Sequence, residues 1–163
     1  VIIYNVPGRT CSNILPETCL KLAGECQNII GIKEASGDMS QIMKILKDKP
    51  ENFLVISGDD MITLPVIAAG GSGVISVLAN AFPSQWVEMV NHAMRTNLKA
   101  AREIHYRYME MIEMLFIEGN PAGIKAIMNI LGISQNILRL PLVPVTKATY
   151  QKIQKAVEDI KNS

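Results

Sequence analysis

Lys33 is the side chain of this sequence best suited to covalent chemistry. It closes the run Ile29-Ile30-Gly31-Ile32, so its amine sits at the rim of an apolar wall, where desolvation disfavours the ammonium form and frees a nucleophile for imine formation. A strand-end lysine extending into solvent satisfies the same pattern. Tyr4 ends the preceding apolar run, and a phenol there can relay protons between an imine and a bound substrate; a core tyrosine with a satisfied hydroxyl is the competing reading. Arg9, in the turn Asn5-Val6-Pro7-Gly8-Arg9-Thr10, offers a planar fork suited to a carboxylate, although a solvated loop arginine fits as well. Asp59 and Asp60 follow Ser57-Gly58 at another strand end, where one should cap the next helix and the other face the pocket.

Other groups carry less. Gly70-Gly71-Ser72-Gly73 precedes a strand and lacks the Gly-Lys-Ser/Thr ending of a phosphate loop, so a nucleotide site is rejected. His92 and His105 lie on helical patterns with no acidic partner at ligand spacing; they read as structural, and no metal is expected. Met109, Met111 and Met114 read as adaptable helix packing. Glu34 should point to the opposite side of its strand from Lys33 and is not assigned to catalysis.

The elements that must position these groups follow from periodicity. Between Val1 and about Asn80 the chain repeats one unit four times: a short β-branched run, a loop, then a helical pattern. The runs are Val1 to Tyr4, Ile29 to Lys33, Phe53 to Ser57 and Gly73 to Val77, each nearly continuous in apolar character, as expected of parallel strands covered on both faces. Helices are expected near Pro16 to Gly24, Met39 to Lys47, Met61 to Ala69 and Pro83 to Arg95. Pro16 and Pro83 suit a first helical turn, and Asp38 with Gln41 resembles a capping box. Such alternation gives a parallel α/β sheet, in which functional groups gather at the C-terminal strand ends. A complete eight-unit barrel takes about 250 residues, so these four units amount to half of one.

From about Asn97 the pattern is helical throughout. Leu98, Ala101, Ile104, Tyr108, Ile112 and Leu115 form the apolar stripe of a long helix. A second helix follows Asn120-Pro121 as cap and first turn and ends at Gly132. A Pro-rich connector, Leu140-Pro141-Leu142-Val143-Pro144, leads to a last helix from Lys147 to Ile160. The expected organisation is a half-barrel over residues 1–96 and a helical region over residues 97–163.

Composition narrows the function. A chain of 163 residues, 48% hydrophobic, can bury a real core. A net charge of +1 without long like-charge runs points away from nucleic acid and from an acidic membrane surface, leaving a small molecule as the default partner. No apolar stretch reaches the roughly 20 residues needed to span a bilayer. Cys11, Cys19 and Cys26 show no C-x-x-C spacing, which argues for free thiols in a reducing, cytoplasmic compartment. The chain opens on Val1, already within a buried-strand pattern, so further sequence is expected upstream.

Taken together, Tyr4-Asn5-Val6-Pro7-Gly8-Arg9-Thr10, Gly31-Ile32-Lys33-Glu34-Ala35-Ser36-Gly37-Asp38, Ser57-Gly58-Asp59-Asp60 and Gly70-Gly71-Ser72-Gly73-Val74-Ile75-Ser76 resemble, in order and spacing, the second half of the dihydrodipicolinate synthase family, also called 4-hydroxy-tetrahydrodipicolinate synthase. Asn120-Pro121 and Leu138-Arg139-Leu140-Pro141 extend the resemblance over essentially the whole chain. It implies the C-terminal half of a (β/α)8 TIM barrel followed by a small helical region. It also implies a homotetrameric class I aldolase-type lyase of lysine (diaminopimelate) biosynthesis, condensing pyruvate with aspartate semialdehyde without cofactor. By the same resemblance Lys33 forms the pyruvate imine, Tyr4 relays protons, and Arg9 holds the semialdehyde carboxylate. Gly58, Asp59 and Ile75 line the site, partly through backbone groups.

N-acetylneuraminate lyase resembles the chain in the Tyr-Asn and Lys motifs but usually lacks Arg-Thr after the glycine, so Arg9-Thr10 favours the synthase. The family's first four βα units are absent from this sequence. With them go the threonine pair that helps to bind pyruvate, a tyrosine contributed across the dimer and the allosteric lysine site. The chain alone is therefore expected to bind pyruvate poorly or not at all. A non-enzymatic half-barrel with unpaired strand edges, and two copies closing a barrel by symmetry, are the alternatives.

Overall fold

The β-branched runs form four short strands: β1 (Ile2–Asn5), β2 (Gly31–Glu34), β3 (Leu54–Ser57) and β4 (Gly73–Val74). A computed structural model of the chain describes residues 1–162. The strands make one parallel sheet in the order β1-β2-β3-β4. Each strand lies beside its predecessor, whereas a doubly wound sheet reverses its strand order and carries helices on both faces. Right-handed crossovers that always advance in one direction deposit every helix on one side, as in a (β/α)8 barrel.

The connecting helices are α1 (Pro7–Thr10), α2 (Pro16–Glu25), α3 (Met39–Asp48) and α4 (Thr63–Ala68). Pro16 opens α2 in its first turn, where its missing N–H costs no intrahelical bond. Cys19 of α2, Ile42 and Ile45 of α3 and Val66 of α4 pack with Ile32, Phe53 and Val55 in one buried cluster. Ile32 and Val55 share a parity along their strands, so the core lies on a single face of the sheet. On the other face Ile2, Tyr4 and Leu54 remain 40%, 50% and 38% exposed. The apolar runs had suggested cover on both faces; one-sided winding leaves this face without a helix.

β4 is shorter than its apolar run. Ile75 still donates its N–H to the Ser57 carbonyl at 2.9 Å, but β3 ends at Ser57, and the chain turns into a 3-10 segment at Leu78–Asn80. No ladder partner is left to extend the strand.

The chain divides into two compact units. The first comprises Val1–Ser76 with Val90–Leu98, and the second comprises Val77–Met89 with the residues from Lys99 onward. Helix α5 (Pro83–Met94) contributes to both. The second unit is helical, with α6 (Leu98–Phe116), α7 (Ala122–Ile130) and α8 (Lys147–Asn162). Its core holds Trp86, stacked on His105 at 5.7 Å between ring centroids, with Met111, Ile112, Leu115, Ile127, Ile153 and Val157 buried. Thr146 caps α8, its hydroxyl accepting the Thr149 N–H at 3.3 Å and donating to Glu118 at 2.7 Å. Among the described residues no helix is long and apolar enough to cross a membrane.

Candidate active site

Pairing of β1 with β2 sets Tyr4 opposite Lys33, both on the helix-free face because their neighbours Asn5 and Glu34 are buried on the other. Lys33 Nζ lies 4.1 Å from the centroid of the Tyr4 ring, within range of a cation–π contact. Gly58, just past β3, makes room for the lysine. A Cβ there would stand 3.1 Å from Lys33 Cε and 2.7 Å from Ala35 Cβ, so any side chain would displace them. The Gly58 N–H also donates to the Glu34 carbonyl at 2.7 Å.

Asp59 shapes the turn after β3. Its carboxylate accepts the Met61 N–H at 2.9 Å, while its carbonyl accepts from the Ser57 and Thr63 hydroxyls at 2.8 and 2.9 Å. The capping expected of this Asp pair therefore goes to the turn; Ile62, at the start of α4, makes no side-chain cap. Asp60 is buried. Arg9 stands exposed on α1, a single turn that ends at Cys11 with φ 55°. Ile75 exposes its side chain just beyond β4. Lys33 thus lies over the Tyr4 ring and beside the space that Gly58 leaves open, while Arg9, Asp59 and Ile75 follow the C-terminal ends of β1, β3 and β4.

Behind this face lies a buried polar cluster that sequence reasoning passed over. The Glu34 carboxylate, fully buried, accepts from Asn5 Nδ2 at 3.0 Å on each oxygen, from Gln41 Nε2 at 2.9 Å and from the Ser36 N–H at 2.7 Å. Asn13 and Gln41 exchange hydrogen bonds of 2.8 and 3.2 Å, Asn5 Nδ2 donates to Asn13 Oδ1 at 2.9 Å, and the Ile14 N–H donates to Asn5 Oδ1 at 3.2 Å. The resemblance of Asp38 and Gln41 to a capping box is half realised. Asp38 accepts from the Ser40 and Gln41 N–H groups, but the Gln41 side chain turns to Glu34. The signal available in the sequence was two polar residues, Asn5 and Glu34, at the helix-facing parity of apolar strands. Burial, and then the charge of Glu34, push the Cys19 thiol up to about 11. Among the described residues no three His, Cys, Asp or Glu side chains converge as metal ligands.

A one-way-wound parallel sheet with a lysine at one strand end and a tyrosine at the next defines a lysine-bearing barrel architecture. The sequence model of the Dihydrodipicolinate synthetase family matches residues 1–160, and the chain belongs to that family. Over 147 residues it is 55% identical to the 4-hydroxy-tetrahydrodipicolinate synthase of Flavobacterium psychrophilum, covering 90% of this chain and 50% of the relative. The solved dihydrodipicolinate synthase of Thermotoga maritima matches with a TM-score of 0.96 at 39% identity, covering 98% of this chain and 55% of that one. The Aquifex aeolicus structure matches with a TM-score of 0.95 at 40% identity and the same coverage. The chain spans about half the length of the curated relatives it matches. Its four βα units are thus half of the family's (β/α)8 barrel, in agreement with the fold class expected from the sequence.

Proposed function

We propose that this chain carries the imine-forming half of a site that condenses pyruvate with aspartate semialdehyde to 4-hydroxy-tetrahydrodipicolinate, in cytoplasmic lysine biosynthesis. The Lys33 amine adds to the pyruvate ketone, and loss of water leaves an imine. Removal of a proton from the adjacent methyl gives an enamine that attacks the aldehyde carbon; the semialdehyde's own amine then adds to the imine carbon and expels the lysine amine, closing the ring as a cyclic imine. Tyr4 relays protons in these steps. Arg9 receives the semialdehyde carboxylate, a task its planar fork suits, while Gly58, Asp59 and Ile75 line the site. The chemistry asks only for an amine and proton transfers, so no cofactor enters. The complete protein acts as a homotetramer. The observation that carries the reading is the Lys33 amine held 4.1 Å over the Tyr4 ring. With Tyr4 and Ile75 each about half exposed, this chain by itself binds pyruvate weakly.

Borohydride reduction in the presence of pyruvate, followed by peptide mass spectrometry, tests the proposal. It is done on the chain alone and after mixing with the part of the Flavobacterium psychrophilum relative that the chain does not match. A reduced adduct on Lys33 in the mixture, weaker in the chain alone, is the expected result; no adduct in either preparation overturns the imine role. Aspartate semialdehyde against N-acetylneuraminate separates the two branches, with Arg9→Ala impairing use of the semialdehyde alone. The exposed Ile2, Leu54 and Ile75 favour a second reading, in which two copies pair their open faces as a non-enzymatic assembly. A monodisperse monomer in solution rules that reading out.

A further inference from the structure

We propose that Glu34 is a positioning residue for the imine-forming lysine: its carboxylate accepts every bond that the hydrogen-bond circuit behind the strand ends sends to it and thereby holds Lys33 over Tyr4. The inference rests on the imine role given to Lys33 above and extends it to the opposite face of the sheet.

Register supplies the first link. Tyr4 pairs with Lys33 and Asn5 with Glu34, and consecutive residues project to opposite faces. The same peptide units therefore carry both pairs, so a bond that fixes Asn5 against Glu34 fixes Tyr4 against Lys33.

Polarity supplies the second. The orientation of the Asn5 amide is set by a backbone donor, because the Ile14 N–H occupies its oxygen and turns its nitrogen toward Glu34. Gln41 offers its oxygen to Asn13 and its nitrogen to Glu34. The Ser36 N–H, which has no alternative role, points at Glu34 as well. Position 34 thus receives only donors, and a carboxylate is the side chain of this size that only accepts. An amide there would set donor against donor in a site where Asn5, Glu34 and Gln41 are 3%, 0% and 6% exposed, so the mismatch could not be relieved by water.

The third link is reach. Glu34 engages the end of β1 through Asn5, the first turn of α3 through Gln41 and, by its carbonyl, Gly58 after β3. Gly58 is the residue whose missing side chain leaves space for Lys33 Cε. An apolar residue at position 34 would pack without that directionality.

The test reads geometry and chemistry separately. In NMR spectra of the intact chain the Lys33 side-chain methylene protons should be shifted upfield by the Tyr4 ring, an assignment made by their return in Tyr4→Leu. Glu34→Gln should lose most of that shift and slow borohydride trapping of pyruvate by about tenfold or more, while the circular dichroism and cooperative melting of the chain persist. Asn5→Asp combined with Glu34→Gln restores an acceptor opposite the new amide but leaves the donors of Gln41 and Ser36 to share one oxygen, and should recover part of both signals. If Glu34→Gln does not fold, Asn13→Ala, at the exposed end of the circuit, should give a partial loss of the same shift. An unchanged Lys33 shift in whichever of the two variants folds overturns the proposal, as does failure of the double variant to recover any of it. The shift is read without pyruvate, so a native chain that shows it but forms no adduct condemns the imine role and not the positioning.

Discussion

The two faces of the β1–β4 sheet are built from alternate residues of the same strands and have opposite characters. On the helix side Ile32 and Val55 are sealed under α2, α3 and α4, and the polar residues Asn5 and Glu34 are admitted only with their hydrogen bonds satisfied. On the other side Tyr4, Lys33 and Leu54 project away from the face that α2, α3 and α4 cover. The buried core lies on the first face, and the chemistry proposed for Lys33 lies on the second. Because a strand is a single covalent object, the first face can aim the second, and a pleated strand needs no loop to hold a nucleophile in place.

Substitutions sort by face. Lys33→Met should abolish borohydride-trapped adduct completely while leaving the melting temperature nearly unchanged; a large loss of stability would break the division. Ile32→Ala, one residue earlier on the sealed face, should cost about 3 kcal/mol in denaturant unfolding, and Leu54→Ala on the open face less than about 1 kcal/mol.

Cys19 sharpens the contrast through pH. Its thiol pKa is raised from 9.0 to about 11 in the folded chain, first by burial and then by Glu34. The folded state therefore holds this proton more tightly than the unfolded chain does. That stability is fully present below pH 9 and is lost as pH rises from 9 through about 11, on the order of 2 kcal/mol. Cys19→Ala should flatten this alkaline limb in unfolding measured against pH.

Gly58→Ala should slow pyruvate trapping by about tenfold, since the new methyl meets Lys33 Cε, and should also lower stability, since it stands 2.7 Å from Ala35 Cβ. A modest effect is expected in the helical unit, which belongs to neither face. Thr146→Ala removes the cap of α8 at a cost of about 1 kcal/mol. The Thr149 and Thr146 hydroxyls and the Thr146 N–H hold the Glu118 carboxyl below its usual range. Its contribution is thus present above the unfolded carboxyl value and lost as pH falls through the folded one. Acid melts of Thr146→Ala against the native chain should show a shallower limb in the variant.

The sequence by itself determined the four strand runs, the helices between them and the place of Lys33 and Tyr4 at strand ends. These depend on β-branching, period and local caps, which act over a few residues. Helix boundaries at Pro16, Met39, Pro83 and Lys147 were legible for the same reason. Only the tertiary structure decided that one face stays open, that Gln41 leaves its cap partner for Glu34, and that Gly58 is needed for its emptiness. Asn5 and Glu34 meet across 29 residues of chain, and Gly58 becomes crowded only when β3 lies beside β2. A residue's local preference carries no record of the neighbour that packing delivers, so donor–acceptor polarity and free volume are settled only when the strands pair.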